Sequence, residues 1–127
     1  MTIAYWCILL SVFIPLGCAY YGKLRGGFQR RDNANPRAFW ASTEGVAARA
    51  NAAQANSHEI FAPFAAAVLI AHATGQASQG WVDALAVLFV LSRIGYCVAY
   101  VADKPSLRSL LWVVGLLCIM GLFVAAA

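Results

Sequence analysis

Apolar positions along this chain fall in long unbroken runs, unlike the short alternating or three-to-four-spaced stripes of a water-soluble fold. The first run, Ile3 to Tyr21, carries no charge and as a helix is long enough to cross a hydrocarbon core of about 30 Å. Tyr5, Trp6, Tyr20 and Tyr21 stand near its ends, where amphipathic rings meet the headgroup layer. Pro15 is placed to kink it. A polar stretch from Gly22 to Ser42 follows, with the breaker pairs Gly26-Gly27 and Asn35-Pro36. Phe39 and Trp40 within it are suited to lie against the membrane surface. A second helix is predicted over residues 43–73, starting near Ser42 or Thr43 with Glu44 in its first turn, where an acid complements the helix dipole. Its later part, Ile60 to Ala71, is apolar. Its earlier part, Val46 to Ser57, is alanine-rich but holds Arg49, Asn51, Gln54 and Asn56. Such a helix would be roughly 45 Å long and would project from the membrane on the side of the first loop. The link from Thr74 to Gly80 is short and uncharged, so the next helix, over 81–102, should be an antiparallel neighbour. Asp83 and Arg93 are the only charges in that helix. Asp103-Lys104-Pro105 makes the next turn, and a last span over 109–126 carries no charge, with Trp112 near its start. The pattern predicts an all-α, integral membrane four-helix bundle, a single domain over 1–127 with spans of about 3–21, 43–73, 81–102 and 109–126.

Composition agrees: the chain is 62% hydrophobic and 11% charged, against about a quarter charged in soluble domains. The net charge of +4 does not point to nucleic acid. Lys23, Arg25, Arg30, Arg31, Arg37 and Arg49 cluster between two apolar segments, as in a loop that sets topology and touches anionic lipid headgroups. Lysine and arginine collect in the first and third loops, so both termini should face outward, into the periplasm if the membrane is a bacterial inner membrane. No basic region precedes the first run, which therefore reads as a retained helix and not a cleaved signal. Cys7, Cys18, Cys97 and Cys118 lie singly in apolar runs without metal or redox spacing, and read as small buried hydrophobes. His58 and His72 have no partner ligands, so no metal site is expected; His72 should sit at the outer interface. Gly115 and Gly121 suit close helix packing.

Charged groups inside a span mark function by default, and here they are Glu59 and Arg93. Measured from the shared outer hairpin, Glu59 lies about 21 Å and Arg93 about 18 Å along their helices, so they can sit level. Asn56 falls near the depth of Tyr96, and Arg49 slightly deeper than Tyr100. Arg49, Asn56, Glu59 and Pro63 share one helical face, while Arg93, Tyr96 and Tyr100 share another. Pro63 also frees the Glu59 carbonyl as an acceptor. Two such stripes make a polar seam in the cytoplasmic half of the bundle. Glu59 and Arg93 could simply pair as a buried structural salt bridge, but the aligned amides and tyrosines favour a polar ligand site.

Around these stripes the chain resembles a known family. The segment RANAAQANSHEIFAPFAAAVLIAHATG, Arg49 to Gly75, is similar to the second helix of the MAPEG family (membrane-associated proteins in eicosanoid and glutathione metabolism). RIGYCVAYVADKPSLRSLLW, Arg93 to Trp112, is similar to their third helix and following loop. The resemblance, to bacterial members of the family, covers most of the chain. It implies a homotrimer that binds glutathione as co-substrate between subunits and conjugates it to lipophilic small molecules, or reduces them, as they enter from the bilayer. Asn56 and Glu59 match the ligand-binding asparagine and glutamate, and Gln54 stands at a position that often lines the same site. Arg93, Tyr96 and Tyr100 match the arginine and paired tyrosines. Arg108 resembles the arginine that holds the glutathione sulfur as a thiolate, which makes Arg108 and Tyr100 the expected catalytic groups and adds Arg49 to the binding set. The chemistry suits the residues: carboxylates of glutathione fit arginine forks, its amine fits Glu59, and a nearby cation eases thiol ionisation.

Two other readings remain open. In the leukotriene-synthesising branch an arginine precedes the motif asparagine by four residues, and here that position is Ala52, which favours a non-catalytic lipid-binding or scaffold protein on the same fold. A small multidrug transporter also has four short helices and a membrane glutamate, but that glutamate usually lies in the first helix, which here has none.

Overall fold

Helix α1 occupies Ile3–Gly26 in the computed structural model, which describes residues 1–127. Thr2 starts it in an extended conformation, its hydroxyl accepting from the Tyr5 N–H at 3.4 Å, so one otherwise unpaired amide of the first turn is met. It ends where Gly27 turns left-handed (φ 71°) and directs its N–H back to the Lys23 carbonyl, a conformation that costs glycine little. The helix thus runs more than a turn past the apolar run, and Lys23 and Arg25 in its last turn complement the dipole.

The polar stretch after α1 is built and not open. Arg30–Ala34 form a 3-10 turn and Pro36–Ala41 a short helix, α2. Asn35-Pro36, read from sequence as a breaker, is the start of that helix: Asn35 accepts from the Ala38 N–H at 3.2 Å, and Pro36 fills a first-turn position where no N–H is needed. Ser42 and Thr43 donate their hydroxyls back to the carbonyls of Phe39 and Trp40, at 2.8 and 2.7 Å. They therefore close α2 and do not cap the next helix, which begins at Gly45 with Glu44 just outside it. Phe28 and Trp40 each meet Phe39 edge-on, and Trp40 lies on Gly22 so closely that a Cβ there would come within 2.8 Å of the indole.

Helix α3, Gly45–Thr74, runs unbroken for 30 residues with Pro63 inside it and stops at left-handed Gly75. Its buried face, Ala47, Ala50, Ala53, Ser57, Phe64, Ala67, Val68 and Ala71, is mostly small, which lets backbones approach. Helices α4, Gln79–Val101, and α5, Pro105–Ala126, are joined by only Ala102, Asp103 and Lys104. Asp103 takes a left-handed φ of 57°, which aspartate tolerates better than most residues, and Pro105 begins α5. The last helix therefore starts four residues before the expected 109, and Arg108 stands in its first turn instead of a loop.

All of the regular structure is helical. Helices α1, α4 and α5 are long and apolar enough to cross a membrane. Helix α1 packs mainly on α3 and also on α4, while α5 packs on α4 and α3, so α3 and α4 form the diagonal of the arrangement. The main apolar core lies toward the termini, from Ala4 and Cys7 through Phe64 and Phe89 to Leu122 and Ala126, with the Phe64 and Phe89 rings stacked at 3.8 Å. Two polar groups close that end. His72 reaches Thr2 Oγ1 at 3.0 Å and the Val68 carbonyl at 2.8 Å while stacking on Tyr5. Asp83 accepts from the Ala4 N–H at 2.8 Å and from Gln79 Nε2 at 2.9 Å. A carboxylate on α4 thus caps the positive end of α1, a role nothing in the local sequence around Asp83 announces. Asp83→Ala is expected to lower stability by about 1–2 kcal/mol, with Asp83→Asn losing less because it keeps an acceptor. Denaturant unfolding in detergent measures this, and equal midpoints for wild type and Asp83→Ala would refute the cap.

Candidate functional site

Arg93 projects from α4 into the bundle and is 1% exposed. Its Nη2 donates to Asn56 Oδ1 at 2.8 Å and to Ser57 Oγ at 3.4 Å, both on α3. Asn56 in turn donates through Nδ2 to Glu59 Oε2 at 3.3 Å. The two stripes read from the sequence therefore meet, but with an amide between the charges: the direct Glu59–Arg93 pair considered above is replaced by a relay. The physical reason is position on α3. Ser57 is buried, Asn56 half-buried and Glu59 exposed, so the inward-pointing guanidinium meets Asn56 and Ser57 first. Nε and Nη1 of Arg93 are buried without a partner.

From Arg93 the seam continues through rings. The guanidinium carbon lies 4.0 Å from the Tyr96 ring centre, Tyr96 and Tyr100 meet edge-on at 5.7 Å, and the Arg108 guanidinium carbon lies 4.5 Å over Tyr100. Four residues from α4 and α5 form one ladder, in which a cation at each end faces an aromatic quadrupole. The early start of α5 is what brings Arg108 to Tyr100, since both flank the three-residue turn.

Arg49 and Gln54 are placed differently. Arg49 Nε donates to the Val101 carbonyl at 3.2 Å and so sits against the C-terminal end of α4, where a cation is favoured; it is level with the far end of the ladder. Gln54 is two residues from Asn56, about 200° around the helix, and the structure does not bring it to Arg93 or Glu59. Its Oε1 is buried without a donor. A shallow groove of about 230 Å³ between α3 and α5 exposes the acid end of the relay, lined by Asn56, Glu59, Ile60, Pro63, Trp112 and Leu116 among others.

Sequence reasoning missed Ser57 and Trp112. Ser57 also donates to the Ala53 carbonyl at 2.8 Å and lies 3.4 Å from Cys97 Sγ. In an alanine-rich helix it reads as one more small packing residue. Trp112 reads as an interfacial anchor, and only the packing of α5 on α3 sets it beside Glu59.

The family model for the MAPEG family matches residues 3–127, a span that includes all five helices and every residue of the seam. No curated protein and no solved structure matches the chain.

The relay makes a stability prediction. Asn56→Leu removes the acceptor while leaving the cation buried, and should cost about 2–4 kcal/mol, in the range for stranding a buried charge or losing a charged hydrogen bond. Arg93→Met removes the charge along with its demand and should cost less than Asn56→Leu. Unfolding midpoints that rank the two in the opposite order would show that Asn56 is not the group satisfying Arg93.

Proposed function

The chain belongs to the MAPEG family, and from that premise we propose that this integral membrane protein is a glutathione-dependent transferase or peroxidase acting on lipophilic electrophiles or hydroperoxides. The observation that carries the reading is the relay from buried Arg93 through Asn56 to exposed Glu59. It holds an acid at the mouth of a groove, with two buried guanidinium nitrogens left without a partner behind it. Glutathione offers the complement: an ammonium for Glu59, and carboxylates for the arginines. Tyr96 and Tyr100 connect Arg93 to Arg108 through ring contacts, and Arg108 supplies a cation beside the sulfur when the thiol gives up its proton. Transfer forms a carbon–sulfur bond and expels the leaving group with that proton. Reduction takes two glutathiones, yielding an alcohol, water and the disulfide.

The same reading includes a fourth crossing and a homotrimer. Helix α3 has the length to span, and Glu59 and His58 stand exposed on it beside exposed Ala55, Ala62 and Ala66. Ionisable groups at membrane depth avoid lipid, and small residues favour a close helix neighbour. A second copy laid on this face would cover both. The basic loops then lie on the cytoplasmic side, with both termini periplasmic in a bacterial inner membrane. The competing reading, a non-catalytic binding or scaffold protein, is favoured by Ala52 and by the internal pairing of Asn56.

Calorimetric titration of the detergent-purified protein with glutathione separates the two readings. Binding is expected, and Glu59→Gln and Arg93→Ala should each weaken it roughly tenfold or more, the worth of a charged hydrogen bond. Arg108→Ala should bind but fail to develop the ultraviolet absorbance of bound thiolate. No heat at millimolar glutathione would overturn the assignment. Native mass spectrometry should show three copies per particle, and a monomer would remove the argument from the exposed face of α3.

A further inference from the structure

The four free cysteines divide into two kinds. Cys7 and Cys118 are sealed in the main core. Cys18 of α1 and Cys97 of α4 belong to a separate buried cluster with Ala53 and Tyr96. Both also line a groove of about 560 Å³ between α1 and α4, walled by apolar side chains including Phe13, Ile94 and Val98. Behind Cys97 lies the hydroxyl of Ser57 at 3.4 Å, and Arg93 Nη2 donates to that same hydroxyl. A buried cation with two unpartnered donor nitrogens thus stands one hydroxyl away from Cys97, and both thiols border a groove with apolar walls. This groove is distinct from the one beside Glu59, which lies between α3 and α5.

We propose that Cys97 and Cys18 form a reducing dithiol for hydroperoxides borne on the acyl chain of a membrane phospholipid seated in the α1–α4 groove. The groove runs from Phe13 and Ile14 to Tyr21, Val46 and Ala102, and Lys23 and Arg25 follow within a turn or so of α1. A chain lying along it brings its phosphate to those cations and its oxidised carbon to the depth of the thiols. The Cys97 sulfur attacks the terminal peroxide oxygen; the S–O bond forms as the O–O bond breaks, and the lipid leaves as an alcohol carrying the thiol proton. Cys97 is then a sulfenic acid. The Cys18 sulfur attacks Cys97, the S–S bond forms, and the hydroxyl departs as water with the Cys18 proton. The two thiols are oxidised and the peroxide is reduced by the same two electrons. Arg93 favours the anionic sulfur in the first step, and no glutathione takes part.

The test is one turnover of the full chain in lipid nanodiscs with a phospholipid hydroperoxide and no other thiol. One equivalent should be consumed per chain, and peptide mapping should find Cys18 joined to Cys97 with Cys7 and Cys118 still free. Cys97→Ser and Cys97→Ala should lose consumption. Cys18→Ser should still consume peroxide but stop at a sulfenic acid on Cys97 that dimedone traps. Oxidation spread over all four cysteines, no Cys18–Cys97 link in the wild type, or unchanged consumption in both Cys97 variants would overturn the proposal. Because glutathione is absent, its failure to bind in calorimetry leaves this outcome untouched, and the reverse also holds.

Discussion

A guanidinium with 1% of its surface exposed has to be satisfied from within the protein, and much of the polar half of this molecule is arranged around that demand. Moving such a charge out of water costs several kcal/mol even after relaxation, so Arg93 is tolerable only where acceptors and a negative potential converge. Asn56 and Ser57 supply the acceptors from α3, Tyr96 supplies the face of its ring, and Glu59 supplies the balancing charge through Asn56. The two bonds to Asn56 and Ser57 fix the rotation and axial register of α3 against α4. A slip of one residue along α3 would turn Asn56 away by about 100° and leave the cation unmet.

The two ends of the bundle answer different physical problems. Toward the termini, apolar packing around Phe64 and Phe89 carries the contacts, and Asp83 and His72 join the start of α1 to the turn of the α3–α4 hairpin. Toward the basic loop the side chains are smaller and more polar. Alanines at positions 47, 50 and 53 let α1 lie close to α3, and the space that small residues leave is occupied by arginines, tyrosines and thiols. That division places the chemistry-bearing groups in the half of the molecule nearer the cationic loops, and leaves the other half a packed apolar support.

Much of this was legible in the chain alone. Three long apolar runs identified α1, α4 and α5 because lipid solvation selects for continuous apolarity, and the offsets of three and four among Asn56, Glu59, Arg93, Tyr96 and Tyr100 disclosed two polar stripes because helical geometry repeats every 3.6 residues. Local signals were weaker where one residue type serves two purposes. Asn35-Pro36 breaks one element and begins another, and Ser42 and Thr43 are good caps whose hydroxyls were already committed to α2. Pro105 begins α5 instead of marking a loop, which moved Arg108 onto a helix and over Tyr100.

The sequence by itself determined the membrane character, the helical content and the core of the polar seam, Asn56, Glu59, Arg93, Tyr96 and Tyr100, since each follows from composition or from periodicity along one helix; its motifs carried the family resemblance. Only the tertiary structure decided how the seam is wired. Whether Arg93 meets Glu59 or Asn56 first, that Gln54 points elsewhere, that Asp83 caps α1 and that Cys18 and Cys97 share a groove all depend on side chains brought together from different helices. The rotation of one helix against another is set by the sum of many small packing contacts, and no single stretch of sequence contains that sum.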